Sequence, residues 1–214
     1  MKLFKLKSIT ILLLLLFLFI IISAFSYTNA ISNNIANSVF RLHVLANSDD
    51  SIDQDLKYKV RDELLKYMNS LIENINSKED AINIVESNKQ NFIDIAKNTI
   101  IQNGFDYDVT IEIGNFSFPT KTYGNISLPS GYYDAIRVKI GEAKGQNWWC
   151  VMFPPLCFVD TSSAIVDDSS KEILKDSLSD EEFALINSSD SSDITFKFKL
   201  IEMFENMKIL LAQN

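Results

Sequence analysis

The sequence has few of the residues that carry enzyme chemistry. It contains one histidine, two cysteines and two tryptophans among 214 residues. A zinc centre needs about four nitrogen, sulfur or oxygen ligands, often with CxxC spacing, and this supply is too small. The sequence also has no nucleophile elbow, phosphate-binding loop or paired-carboxylate motif. We therefore predict no metal, no cofactor and no catalytic residue.

Basic residues are also scarce. Lysine and arginine together number 20 against 28 aspartates and glutamates, so the formal net charge is -8. Nucleic-acid binding depends on cationic side chains that neutralise phosphates, and adhesion to anionic lipid depends on the same charges. Neither kind of partner suits this chain. Its hydrophobic share of 47% is that of an ordinary globular domain.

One long hydrophobic run is present, and it lies at the N-terminus. Three lysines within MKLFKLK precede the apolar residues 9–25, a pattern typical of a signal peptide or of an uncleaved membrane anchor. The run is at the lower limit of length for crossing a bilayer. Ser26 and Ala30 each end a small-x-small triplet and are the candidate cleavage positions. We predict that residues 1–30 export or anchor the chain and that residues 31–214 form one domain outside the cytoplasm.

Hydrophobic patterns predict that this domain is α+β. VFRLHVLA (39–46) and YDAIRVKI (133–140) alternate with period two, as strands do. A helix with one apolar stripe follows the first strand, and a second helix begins near Ser77, where S-x-x-D resembles a capping box. The stripe consists of Ile52, Leu56, Val60, Leu64, Met68, Leu71 and Ile75. We expect an antiparallel sheet with helices packed on it.

The last third of the chain has a different composition. NWWCVMF (147–153) is apolar on both faces, which predicts a central, covered strand that the Pro154-Pro155 pair ends. Residues 159–193 are acidic and rich in serine, and we expect a more mobile surface there with short helices at 171–178 and 179–186. Residues 194–214 carry an apolar stripe that predicts a C-terminal helix.

Both cysteines and both tryptophans lie within NWWCVMFPPLCF. Three interpretations of Cys150 and Cys157 stay open: a disulfide, which export permits, two buried thiols, and a nucleophile that uses His43 as its base. The third is disfavoured because an apolar strand raises the pKa of a thiol and makes it inert. We predict a structural core role for Trp148, Trp149, Pro154 and Pro155.

A compact polar cluster marks the end of the first strand. Its members are Arg41, His43, Asn47, Ser48 and Asp49. The end of a strand before a helix N-terminus is a common place for a polar site. The alternative is that Arg41 and His43 fix the sheet edge while Ser and Asp residues cap the helix. Calcium is excluded because Gln54 and Val60 stand where an EF-hand loop needs Gly and Glu.

Three segments between residues 40 and 160 carry a family resemblance. They are FRLHVLANSD, DQDLKYKVRDELL and FPTKTYGNISLPSGYYDAIRVKIGEAKGQNWWCVMFPPLCF, and the stretch from GEAKGQ onward is the most specific. Together they resemble the stage II sporulation protein R family of endospore-forming bacteria.

The resemblance implies an exported signal without catalytic residues. Such a protein is made in the forespore and enters the space between the forespore and mother-cell membranes. There it triggers a membrane-embedded aspartic protease, stage II sporulation protein GA, which cleaves the inactive precursor of sigma-E. Two other classes stay open: an exported hydrolase that uses Cys150 with His43, and a structural envelope module. We expect the polar cluster at the strand end to dock on the receptor.

Overall fold

The computed structural model describes residues 2–71, 75, 77–158, 166 and 168–187, apart from the side chains of residues 2–8 and 158. The predicted C-terminal helix over 194–214 lies outside the described residues. So does much of the acidic segment 159–193, whose predicted mobility stays a prediction.

The described chain forms α-helices, strands and one short 3₁₀-helix. The helices are α1 (Lys2–Ser38), α2 (Ser51–Leu71), α3 (Lys78–Ser87), α4 (Lys89–Gln102), α5 (Asp168–Ser177) and α6 (Asp180–Ile186), with the 3₁₀-helix at Leu156–Phe158. The strands are β1 (Phe40–Leu45), β2 (Val109–Phe118), β3 (Lys121–Tyr123), β4 (Ile126–Leu128), β5 (Gly131–Ile140) and β6 (Asn147–Phe153).

The main sheet has four strands in the order β2-β5-β1-β6, and β3 and β4 form a separate hairpin. β5 pairs antiparallel with β2 and parallel with β1, where Arg41 lies opposite Ala135. β1 also pairs antiparallel with β6, where Leu42 lies opposite Cys150. The predicted α+β class is confirmed, and two of the three strand pairs are antiparallel as expected.

Each face of the sheet carries a hydrophobic core. The first core lies between the sheet and helices α2, α3 and α4; among its fully buried residues are Leu42, Val44, Val60, Leu64 and Phe92. The second core lies on the other face, against the end of α1, the β3–β4 hairpin, α5 and α6; it includes Ile35, Phe118, Tyr133, Val151 and Leu174. Burial of each large aliphatic or aromatic side chain stabilises the fold by roughly 1.5–3 kcal/mol.

Two helix starts follow directly from local sequence. The Ser77 side chain accepts a hydrogen bond from the Asp80 backbone N–H at 3.1 Å, which confirms the predicted start of α3. Ser179 and Glu182 form a reciprocal capping box at the start of α6. The two short helices predicted in the acidic segment are α5 and α6, and Leu174 and Ile186 anchor them in the second core.

One strand prediction is wrong: β6 lies at an edge of the sheet, and β1 and β5 are the central strands. The apolar sequence of β6 has another cause. Cys150 and Met152 face the first core while Val151 faces the second, so both faces are covered although one edge is free of a partner strand among the described residues. β6 ends at Phe153, as the Pro154-Pro155 pair predicts.

The N-terminal helix joins the apolar run to the domain without a break. α1 has 37 residues, about 55 Å at 1.5 Å per residue. By length and composition α1 could cross a membrane, and residues such as Leu14 and Phe17 are exposed. Its last two turns belong to the domain, because Ile31 and Ile35 are buried in the second core.

Candidate functional site

Arg41 lies inside the second core, not at the surface. Its side chain is fully buried, with the guanidinium 4.1 Å from the centre of the Phe118 ring and 4.6 Å from that of Tyr133. Nη2 donates a hydrogen bond to the Tyr123 hydroxyl at 2.7 Å, while Nε and Nη1 have no partner among the described residues. The expectation that Arg41 is exposed for docking is therefore wrong, because aromatic rings enclose it in the core.

His43 lies beside Arg41 on the same face of β1 and is also buried. Its ring stacks on Trp149 with 3.7 Å between centroids, and Nε2 lies 2.7 Å from the Asn147 amide oxygen. Burial lowers the pKa of His43 from 6.5 to about 4, and the nearby charges of Arg137 and Lys139 act in the same direction. His43 is thus a neutral core residue at physiological pH, and its expected exposure is wrong as well.

The cysteines are joined to each other. Cys150 and Cys157 form a disulfide with 5.6 Å between their Cα atoms. Cys150 faces the first core with its partner Leu42, whereas His43 faces the second core. Adjacent strand positions point to opposite faces of a sheet. The fold therefore separates Cys150 from His43 and removes the free thiol that the hydrolase interpretation requires.

The two tryptophans also lie on opposite faces of β6, and both are partly buried. Trp148 packs on the first core and meets Tyr58 edge to face at 5.3 Å between ring centroids. Trp149 packs on the second core, where it contacts His43 and Phe118. Pro154 is buried and Pro155 is half-buried. Both tryptophans thus pack against the hydrophobic cores, and neither is fully enclosed.

The rest of the polar cluster holds two loops together. Asn47 donates to Asp53 at 2.8 Å and accepts from the backbone N–H of Glu142 at 2.9 Å. Ser48 donates to the same Asp53 oxygen at 2.7 Å, and Asp49 accepts from the backbone N–H of Gln146 at 2.8 Å. The segments NSD and GEAKGQ are therefore one structural unit, which locks the β5–β6 turn against the start of α2.

Two glycines permit this close approach. Gly141 has φ +55°, and a Cβ atom there would collide with the Asn47 amide. Gly145 has its backbone against the Ser48 carbonyl, where a Cβ would overlap the oxygen. Backbone hydrogen bonds from Lys144 to the Asn47 carbonyl and from Gly145 to the Ala46 carbonyl close the turn. Side chains at these positions would separate the two loops.

An acidic cleft of about 590 Å³ opens at this end of the sheet. Asp53 lies in its wall; burial alone would raise its pKa, but hydrogen bonds from Asn47 and Ser48 hold that pKa below its usual range. Ile52 is 59% exposed beside the cleft. We call the accessible rim the strand-end surface; it consists of Asp49, Asp50, Ile52, Asp106, Asp108 and Glu142.

The carboxylates of this surface do not converge on a metal. Among the residues that the structure describes, no group of three or more His, Cys, Asp or Glu side chains is placed to hold an ion. The surface combines several carboxylates with the exposed aliphatic side chain of Ile52, and two of the carboxylates pair with lysines, Glu142 with Lys144 and Asp108 with Lys97.

Sequence reasoning missed the residues that explain the burial of Arg41. The Tyr123 partner is 82 positions away, and Phe118 and Tyr133 flank the β3–β4 hairpin. Local periodicity carries no signal for contacts at such separation. The two glycines of GEAKGQ are typical of a turn, and the sequence carries no signal for their close contact with the NSD loop.

The chain is an α+β domain that continues without a break from a helix whose length and composition are consistent with a signal sequence or a membrane anchor. The family model of stage II sporulation protein R matches residues 36–163, and the chain belongs to that family. Stage II sporulation protein R of Bacillus subtilis (strain 168) is 40% identical over 143 residues, which are 66% of this chain and 64% of that protein. The chain thus matches less than two thirds of that relative's length. No solved structure matches it. The family membership gives the chain a role in sporulation.

Proposed function

We propose that this chain is an exported sporulation signal that activates a membrane-embedded aspartic protease, stage II sporulation protein GA, and so leads to processing of the sigma-E precursor in the mother cell. The observation that carries the proposal is the continuity of α1: a helix apolar enough to span a membrane enters a domain of a sporulation family. The chain is made in the forespore, and its domain acts in the space between the two membranes.

Binding rather than catalysis is the proposed mode of action. The sole histidine is buried with a lowered pKa, and both cysteines are in a disulfide. These are the residues on which the alternative hydrolase depends, and the sheet places them on opposite faces. An agonist needs no such chemistry, since a ligand shifts a receptor equilibrium through its different affinities for the two states.

The strand-end surface is the proposed docking face. It keeps the predicted location but replaces Arg41 and His43, which are buried, with exposed neighbours. Asn47 and Ser48 hold the loops in place, and Asp49, Asp50 and Ile52 are presented outward. A receptor segment that suits this face has basic side chains for the carboxylates and an apolar side chain for Ile52.

The free energy needed to activate the receptor sets a lower limit on the strength of the docking contact. A change from about 1% to about 99% active receptor needs roughly 5.5 kcal/mol of differential affinity. Covering one exposed aliphatic side chain such as Ile52 supplies about 1–2 kcal/mol of this. Several desolvated charge pairs must supply the remainder, so removing two carboxylates together should have a large effect.

The test compares matched surface variants in sporulating cells. We expect Ile52→Ser, and separately Asp50→Asn with Glu142→Gln, to reduce cleavage of the sigma-E precursor at least tenfold, because they remove apolar and charged contacts. The controls are Tyr132→Ser and Glu86→Gln, which alter exposed side chains elsewhere on the domain. Circular dichroism and export of each variant verify its folding.

Two results would contradict the proposal at different levels. If cells that carry either of the two strand-end variants cleave the sigma-E precursor as efficiently as wild-type cells, docking takes place on another surface. Cleavage of the precursor by this protein in a reaction without the protease would overturn the agonist mechanism itself.

A further inference from the structure

α1 consists of two parts with different surroundings. Between Ile9 and Ile22 the aliphatic and aromatic side chains are exposed, by 41–67% of their surface. From Tyr27 to Ser38 the helix is attached to the domain by both polar and apolar contacts. The change from one part to the other falls near Ser26, which is exposed.

Specific contacts fix the second part of α1. The Tyr27 hydroxyl donates to Glu181 at 2.6 Å, and the Asn34 amide donates to Glu182 at 2.6 Å. Both acceptors belong to the capped first turn of α6. Lys78 donates to the Ala36 carbonyl at 3.2 Å, so α3 also holds this part of the helix. Residues 27–38 are consequently an element of the folded domain.

We infer that the Ser26–Tyr27 bond is the site at which a membrane-bound signal peptidase processes the chain. Water cleaves this amide, leaving a carboxylate on Ser26 and an ammonium group on Tyr27. Ala24 and Ser26 supply the small side chains that such a site requires at its third and first positions before the bond. The folded domain then begins at Tyr27, four residues before the boundary that composition suggests.

Cleavage after Ala30 would damage the domain. It would remove the Tyr27 hydroxyl from Glu181 and put the new chain end at Ile31, a residue that packs in the second core and is only 9% exposed. An ammonium group beside this apolar core is unfavourable. Cleavage after Ser26 keeps every contact described above and frees the Thr28 hydroxyl, now bonded to the Ala24 carbonyl, to cap the new helix N-terminus.

The length of the apolar run also favours processing over permanent anchoring. Residues 9–25 span about 26 Å as a helix, compared with about 30 Å for the hydrocarbon core of a bilayer. A run of this length is at the short limit for a membrane anchor. It is typical of a signal peptide when the hydrophobic region and its flanking residues are counted together.

N-terminal sequencing of the exported full-length gene product tests the inference. We expect the mature chain to begin at Tyr27. We expect Ser26→Phe to accumulate as the unprocessed chain, because a large side chain blocks the position before the bond. The matched control Ala30→Phe, at an exposed position one turn later, should still be processed to Tyr27.

A mature chain beginning at Ile31, or an exported chain that keeps its original N-terminus, would overturn the inference. Normal processing of Ser26→Phe, or a block in Ala30→Phe, would do the same. These outcomes are independent of the receptor proposal, because they are read from the N-terminus and not from precursor cleavage.

Discussion

Replacing His43 with phenylalanine should remove a specific part of the pH dependence of stability. Phenylalanine retains an aromatic ring for stacking on Trp149 but cannot be protonated. In the wild type the folded-state pKa of about 4 lies below the ordinary 6.5 because burial disfavours the imidazolium. The unfolded chain therefore binds a proton in a range where the folded chain does not, and stability falls as pH decreases from about 6.5 toward 4.

The magnitude follows from the two pKa values. Lowering a pKa from 6.5 to about 4 corresponds to at most roughly 3 kcal/mol of unfolding free energy. Because Asn147 and Trp149, the ring partners of His43, are not fully buried, solvent screening reduces this to about 2 kcal/mol. Above pH 6.5 the contribution is constant. Between pH 7 and pH 5 we expect the wild type to lose about 1 kcal/mol more than His43→Phe.

Urea denaturation at half-unit intervals from pH 4 to pH 8 measures the effect. Both proteins also lose stability at still lower pH, where carboxylates with lowered pKa values, such as Glu112 and Asp134, become protonated. Their contribution cancels in the difference between the two curves. A difference that is flat from pH 7 to pH 5 would refute the assignment of His43 as a buried neutral residue.

Three further changes test the structural reasoning by equilibrium unfolding. Gly145→Ala should destabilise the domain by about 2–4 kcal/mol because the backbone of Gly145 is packed against another loop. In the control Gly114→Ala the new Cβ would meet only a ring at 3.5 Å, so the loss should be less than about 1 kcal/mol. Equal losses in the two variants would contradict the packing argument. The unfolding free energy of Arg41→Met should stay within about 1 kcal/mol of wild type, because methionine keeps the side-chain volume and removes a buried charge. Arg41→Ala should lose about 3 kcal/mol because it leaves a cavity. A greater loss for Arg41→Met than for Arg41→Ala would show that the charge itself is stabilising. Replacing Cys150 and Cys157 by serine should cost about 2 kcal/mol by the loop-entropy argument, with signalling per folded molecule retained, and selective loss of signalling would point to a functional role of the disulfide.

Short-range features of this fold could be predicted from the sequence. Ser77 and the residues after it determine the start of α3, and the alternation of Phe40 to Val44 defines β1. These features depend on neighbours within a few positions, whose periodicity and capping chemistry are visible in the chain itself.

Long-range neighbours could not be predicted. A charged side chain on a strand usually faces water, but Arg41 is enclosed by Phe118 at the end of β2 and by Tyr123 in the β3–β4 hairpin, about 80 positions later. The prediction that β6 is a central strand is wrong for a related reason. An apolar sequence shows that both faces are covered, and it contains no information about which edge has a partner strand.

The pairing of β1 with β5 determines when the domain can fold. Arg41 and Ala135 are partners 94 positions apart, so β1 has no central partner strand until β5 is available. Folding dominated by such distant contacts is slow. This delay suits the proposed export, because it keeps β1 unfolded while later parts of the chain are still crossing the membrane. If the chain is exported as proposed, the order of the strands delays completion of the sheet, and with it the strand-end surface, until β5 and β6 have crossed the membrane.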